Sequence, residues 1–259
     1  MGIYCNMRIF AIADLHLAFS VPDKTMEAFG PAWDNYAEKI AIYWREKVAA
    51  DDLVLIAGDI CWAMNLNQAL IDLKWIDALP GTKIILRGNH DYWWPSSAKL
   101  AQALPPSIKF IHNNALVHNG VSIGGSRLWD TEEYGFSPFI EFQHNPKARV
   151  KTEEELAKEK EEEKRIFQRE IERLKLSLSQ LDQSGKIKIA MTHYPPIGAD
   201  LAPSLASAIL EEFKIDLCIF GHLHNVKKGS LPFGTARGVQ YHLTSCDYLD
   251  FTPLELWEG

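Results

Sequence analysis

The sequence lacks a cysteine framework, a basic excess and a long apolar run, and each lack removes a class of protein. Its four cysteines, Cys5, Cys61, Cys218 and Cys246, share no close spacing. Neither a C-x-x-C zinc knuckle nor a disulfide scaffold can be built from them. The expectation is a reduced, cytoplasmic protein with a few buried thiols, Cys61 being a small apolar filler rather than an oxidation-sensitive group. A net charge of −7 opposes a broad nucleic-acid-binding surface. No run approaches the ~20 apolar residues that span a bilayer, and no charged-then-apolar leader opens the chain. Met1-Gly2 lacks the hydroxyl residue that a myristoylation motif wants at the position of Asn6. Residues 1–6 precede the first apolar strand and read as a tag, an extension or a misassigned start.

What is present suits a globular α/β chain of 259 residues, 47% hydrophobic and 24% charged. Apolar, β-branched runs at Arg8 to Ala13, Leu53 to Ala57, Lys83 to Arg87, Lys186 to Thr192 and Leu217 to Phe220 predict buried strands. Helical patterns lie between them, at Trp33 to Ala49, Leu66 to Ala78 and Ser204 to Phe213, which indicates helices covering sheet faces. Shorter runs at Ala115 to His118, Val121 to Gly124, Gln240 to Thr244 and Leu254 to Trp257 predict additional strands of a second sheet. With no repeats and no Pro/Gly/Ser-rich linker, the whole of 1–259 is expected to be one domain.

One stretch, residues 151–183, is dense in Glu and Lys. Phe167, Ile171, Leu174, Leu178 and Leu181 alternate at spacings of four and three, which predicts a long amphipathic helix with a narrow apolar seam. The expectation is a crossover helix whose second half packs on the domain while its first half is solvated. A partner contact through the seam is the rival, and oligomeric state is not legible from it.

Polar clusters follow the five main strands. The first strand runs into Asp14-Leu15-His16, the second into Gly58-Asp59, the third into Gly88-Asn89-His90-Asp91, the fourth into His193 and the fifth into Gly221-His222-Leu223-His224. Ligand sites of α/β sheets lie beyond the carboxyl ends of strands, so these clusters can converge. On an extended segment Asp14 and His16 leave the same face and could grip one ion; the same spacing recurs in His222 and His224. Seven donors without thiolate, Asp14, His16, Asp59, Asn89, His193, His222 and His224, suit Mn, Fe or Zn rather than a calcium cage. They are too many for one tetrahedral ion and fit two ions that share a carboxylate.

The ordered series D-x-H, G-D, G-N-H-D, H and G-H-x-H resembles the calcineurin-like metallophosphoesterase superfamily over residues 8 to 245. The resemblance implies a four-layer αββα fold, two sheets flanked by helices. It implies two divalent or mixed-valence transition-metal ions, with Mn first and Fe or Zn as alternatives. One would be held by Asp14, His16 and His224, the other by Asn89, His193 and His222, with Asp59 bridging. His90 would contact the phosphate and assist the leaving group, and Asp91 would hold its ring. The implied reaction is hydrolysis of a small-molecule phosphate mono- or diester by metal-activated water. Protein serine/threonine phosphatases of the superfamily carry Asp-Arg after the Gly-Asp, where this chain has Ile60-Cys61-Trp62. Lipid A pathway hydrolases carry Arg at the position of His90. Both assignments are thereby opposed. Two rivals stay open, a nuclease and a non-catalytic scaffold of the same fold.

Outside the blocks, His112, His118, His144 and His242 read as surface or core residues. Trp62, Trp93, Trp94 and Trp129 read first as core or rim packing, and second as a stacking wall for an aromatic group. Arg127 is open between a phosphate contact and a solvated loop.

Overall fold

The computed structural model describes residues 7–141, 152–231 and 233–259. Cys5, Asn6 and His144, on which expectations were placed, lie outside the described residues. The elements in chain order are β1 (Arg8–Ile12), α1 (Tyr36–Lys47), β2 (Leu53–Ile56), α2 (Leu66–Asp77), β3 (Thr82–Leu86), α3 (Ser97–Ala103), β4 (Ile108–Ile111), β5 (Leu116–His118) and β6 (Val121–Ser126). Then follow α4 (Glu153–Leu178), β7 (Ile187–Thr192), α5 (Leu205–Glu212), β8 (Leu217–Phe220), β9 (Thr235–Ala236), β10 (Val239–Leu243) and β11 (Leu254–Glu258).

The strands form two sheets, ordered β11-β1-β2-β3-β4 and β5-β6-β7-β8-β10-β9. Within each, the strands that lead to the polar clusters run parallel, and antiparallel strands sit only at the edges. The continuous apolar runs are explained by burial on both faces. In β2, Leu53 and Leu55 face the other sheet, while Val54 and Ile56 face the helices. Ile9, Ile84, Ile189 and Ile219 fill the space between the sheets. Trp44 of α1 and Leu73 of α2 cover the first sheet; Leu174 of α4 and Leu210 of α5 cover the second. This is the αββα layering expected. Each large aliphatic side chain so removed from water contributes roughly 1.5–3 kcal/mol.

Helix ends follow local chemistry. Asn65 caps α2 by accepting the Gln68 N–H at 3.1 Å. At α4, Thr152 Oγ1 accepts the Glu155 N–H at 3.2 Å and Glu155 Oε2 accepts the Thr152 N–H at 2.9 Å, a reciprocal capping box. α1 starts three residues later than expected because Asn35 takes a left-handed backbone, φ 53°. The long charged helix is a crossover between the parallel neighbours β6 and β7, as expected. Ile171, Leu174 and Leu178 are fully buried while Leu156 in its first half is exposed.

One expectation is corrected, and two elements are new. The run at Leu254 to Trp257 does not join the second sheet; as β11 it pairs antiparallel with β1 in the first. Antiparallel pairing at an edge can occur at either sheet, so the run's own pattern carried no choice. β4 and α3 were not anticipated: β4 has only two fully buried side chains, Ile108 and Ile111, and exposes Lys109, so it lacks a continuous run. Among the described residues no helix is long and apolar enough to cross a membrane.

Candidate metal centre

The carboxyl ends of the two sheets are stitched together by backbone. Ala13 N–H donates to Thr244 O at 2.7 Å and Cys246 N–H donates to Ala13 O at 2.9 Å, from one sheet to the other, while within the sheets Asp14 N–H donates to Gly58 O at 3.0 Å and Gly221 N–H to His193 O at 3.1 Å. These bonds bring Asp14, His16, Asp59, Asn89, His193, His222 and His224 to one place.

The route differs from the simple strand picture. Asp14, His16, Asp59 and His222 have positive φ, 58°, 44°, 51° and 71°. The chain has left the extended conformation at these residues, so the two-residue period of a strand does not aim the side chains. Accordingly, His222 and His224 diverge rather than grip together. His222 Nδ1 lies 3.2 Å from Asn89 Oδ1, while His224 Nε2 lies 3.2 Å from His16 Nε2.

Two donor groups result. Asp14, His16 and His224 present ligand atoms within 4.8 Å of one another, and so do Asp14, Asp59 and His193. His193 Nε2 is 2.7 Å from Asn89 Oδ1. Asp14 is common to both groups, and Asp59 Oδ2 of the second lies 3.6 Å from His16 Nε2 of the first and 3.4 Å from His193 Nε2. The residues fit the implied ions. Imidazole nitrogens from opposite ends of the chain converge face to face, and the donors are nitrogen and oxygen only. The far ring atoms are held as metal-binding histidines require: His193 Nδ1 donates to Ala57 O at 2.9 Å, and His224 Nδ1 faces Asp247 Oδ1 at 3.0 Å.

Two glycines of the motifs are there for space. A Cβ at Gly88 would collide with the Asp59 carboxylate and backbone nitrogen, and one at Gly221 with the Asp14 carboxylate. Each glycine thus lets one motif's backbone press against another motif's acid.

Charge in the cluster is unevenly held. Burial pushes the Asp14 carboxyl up to about 6. Burial also opposes ionisation of Asp59, but the imidazoles of His193, His16 and His90 outweigh it and hold that carboxyl below the ordinary range. His193 rises to about 9 against burial because Asp59 and Asp14 face it, and His224 rises to about 9 against burial because Asp247 and Asp14 do. Burial drives His16 and His222 well below the ordinary value. A cation bound through Nε2 of His193 and His224 would compete with protons for those lone pairs.

His90 lies at the rim, its ring 4.7 Å from Trp62 and 5.6 Å from His16 by centroid. Its backbone N–H donates to Asp59 Oδ1 at 2.8 Å. Asp91 does not hold the His90 ring, contrary to expectation: His90 Nδ1 is buried with no partner. The Asp91 carboxylate instead accepts the backbone N–H groups of Ile60 at 2.9 Å and Gly88 at 2.7 Å, and the Trp93 indole N–H at 3.0 Å. It clamps the two loops that carry Asp59 and Asn89. A residue directly after a histidine leaves on another side of the backbone, and here that side is the loop interior.

The tryptophans divide. Trp93 and Trp94 are core residues, Trp62 stacks on His16 at 4.7 Å, and Trp129 lines a neighbouring pocket. Arg127 is neither solvated nor free, since its guanidinium lies 3.5 Å from the buried Glu170 carboxylate and over the Trp129 ring at 4.5 Å. His112 and His242 are half-buried, and His118 lies on β5. Cys61 is fully buried and burial pushes its thiol far up, as a filler requires. Asp247 is the residue that sequence reasoning missed. It sits after β10 in Ser245-Cys246-Asp247, with no motif around it.

The calcineurin-like phosphoesterase family matches this chain across residues 7–226. The chain belongs to that family. Membership makes it a metal-dependent hydrolase of phosphoesters. Among solved structures it is similar to a phosphopantetheinyl hydrolase from Mycobacterium tuberculosis, with 13% identity, a TM-score of 0.55, and 98% and 97% of the two chains covered. It is also similar to a protein of unknown function from Aquifex aeolicus, with 16% identity, a TM-score of 0.48, and 96% of each chain covered. A purple acid phosphatase from yellow lupin seeds shares 14% identity at a TM-score of 0.45, over 92% of this chain and 44% of that one. At these identities the likeness is one of fold. No curated protein matches the sequence.

Proposed function

We propose that residues 1–259 act as one phosphoesterase domain with a dinuclear transition-metal site that hydrolyses small-molecule phosphate mono- or diesters. Asp14, His16 and His224 would hold one ion; Asn89, His193 and His222 the other; Asp59 would be shared. Manganese is the first candidate, iron or zinc the alternatives. The observation that carries this reading is the Asp59 carboxylate, with Oδ2 at 3.6 Å and 3.4 Å from imidazoles of the two donor groups.

When bound, such a pair neutralises phosphate oxygens and lowers the pKa of water toward about 7. The chain's own residues do the rest. His193 and His224, pinned through Nδ1, aim Nε2 into the site. The His90 N–H orients Asp59, and the His222 N–H orients Asp14 at 2.9 Å. The His90 side chain, at the open edge with both loops clamped beneath it by Asp91, is placed to supply or hold a proton at the departing oxygen.

The test is to strip the protein with chelator, reload it with manganese, and assay p-nitrophenyl phosphate and bis(p-nitrophenyl) phosphate. Expected are turnover of at least one ester and two ions per chain by elemental analysis. Silence toward both esters with two ions bound would favour the scaffold reading, and absence of bound metal would end the proposal.

A further inference from the structure

A pocket of about 270 Å³ reaches the metal centre at His222. Its wall is aromatic: Trp129, Tyr134, Phe136 and Tyr194 all line it. The rings are already packed on one another. Tyr194 lies on His222 with centroids 3.9 Å apart, Trp129 lies 4.9 Å from Tyr194, and Tyr134 lies 5.7 Å from Phe136. The Tyr134 hydroxyl donates to Pro195 O at 2.8 Å, which fixes that ring against the loop after β7.

Charge narrows what the pocket accepts. Among the described residues Asp130 is the one carboxylate that lines it, and neither lysine nor arginine does. The nearby Arg127 is turned to Glu170 and lines a separate recess. A second phosphate or a carboxylate would therefore enter without a counter-charge and beside an acid, which desolvation disfavours. A flat, uncharged ring enters with stacking partners on several sides. The volume lies near the lower end of small-ligand sites, ~300 Å³, so there is room for one ring system rather than a long chain.

We infer that this pocket selects phosphate esters whose organic group is a flat, uncharged aromatic ring system, with Trp129 and Phe136 as specificity-determining residues. The inference rests on the phosphoesterase reading above, and names the substrate class of that same site.

The test compares 2-(1-naphthyl)ethyl phosphate with n-butyl phosphate, two primary alkyl esters of similar intrinsic reactivity, on the manganese-loaded protein. Aromatic stacking predicts a kcat/KM ratio of about tenfold or more in favour of the naphthyl ester, carried by KM. That ratio should collapse to about threefold or less in Trp129→Ala, and also in Phe136→Ala, the second variant in case the first fails to fold. A ratio near one in the unaltered protein, or a ratio unmoved in both variants, overturns the inference. 2-(1-Naphthyl)ethanol has no phosphorus to hydrolyse, so saturation-transfer NMR reads the pocket without turnover. Ring saturation that both variants abolish supports the pocket; its absence in the unaltered protein overturns it. Ring saturation together with no cleavage of either ester, of p-nitrophenyl phosphate or of bis(p-nitrophenyl) phosphate upholds the pocket and overturns the phosphoesterase reading.

Discussion

His224 Nδ1 lies 3.0 Å from Asp247 Oδ1, and Asp247 Oδ2 accepts the backbone N–H of Asn225 at 2.9 Å. One carboxylate thus fixes both the ring and the turn that carries it. An anionic partner on the far nitrogen makes the near nitrogen a stronger donor and fixes its tautomer. Asp247→Asn keeps the shape and removes the charge. It should weaken metal binding by about 10- to 100-fold, read as the chelator concentration that empties the site. Unchanged retention would show that Asp247 only shapes the turn.

The pressed contacts at the two motif glycines give a second prediction. Gly88→Ala and Gly221→Ala each put a methyl group against a buried acid of another motif, and the Gly221 methyl also lies 2.7 Å from the Ala13 side chain. Backbone and buried carboxylates have little room to yield. Each variant should lose about 1–3 kcal/mol of stability, as overpacked sites do. Bound metal should fall with it. Gly135→Ala, where a Cβ meets nothing within 4 Å, should stay within about 0.5 kcal/mol. Denaturant midpoints and metal content check all three.

These contacts also show what a sequence can carry. The five main strands were legible because burial on both faces writes an unbroken apolar run, and the donors were legible because each sits where such a run stops. The aim of the side chains was not legible. At Asp14, His16 and His222 the backbone turns left-handed, and the face rule of a strand no longer applies. Asp247 and the loop-clamping role of Asp91 were hidden for another reason. Each acts through contacts made by chain returning from elsewhere, and nothing in the residues beside them records that return. The sheet joined by β11 is of the same kind.

Lys83 supplies a pH test away from the site. It is fully buried, and its ammonium donates to Leu79 O, to Asp77 O at 3.3 Å and to Ser107 Oγ at 3.2 Å. Burial pushes it down from 10.5 to about 8. The unfolded chain then keeps the proton up to about pH 10.5 while the folded chain releases it near 8. Between those values unfolding takes up a proton, so stability rises with pH; below about 8 the full penalty persists. Relative to Lys83→Met, the natural protein should gain at most about 3 kcal/mol between about pH 7 and pH 10. Urea unfolding of both proteins across that range decides it, and a gap that stays level or moves the other way refutes the assignment.

His90 gives the sharpest separation of chemistry from structure. Its backbone N–H, not its ring, orients Asp59, so that contact survives replacement of the side chain. The ring is held by packing against Trp62 and His16, with Nδ1 buried and unpartnered. Burial lowers its pKa below the ordinary histidine value, so in the absence of substrate the ring is neutral near pH 7. An arriving phosphate ester brings the negative charge that favours its protonation, which places the proton where a leaving oxygen needs it. An interaction made only as that bond breaks lowers kcat without raising KM. His90→Gln should therefore cut kcat by about 10²- to 10⁴-fold with two ions per chain retained and KM little changed. Loss of metal together with kcat would make the ring a ligand or a support for one. Full activity would leave proton delivery to water, with the open rim beside Trp62 and Tyr92 as its route.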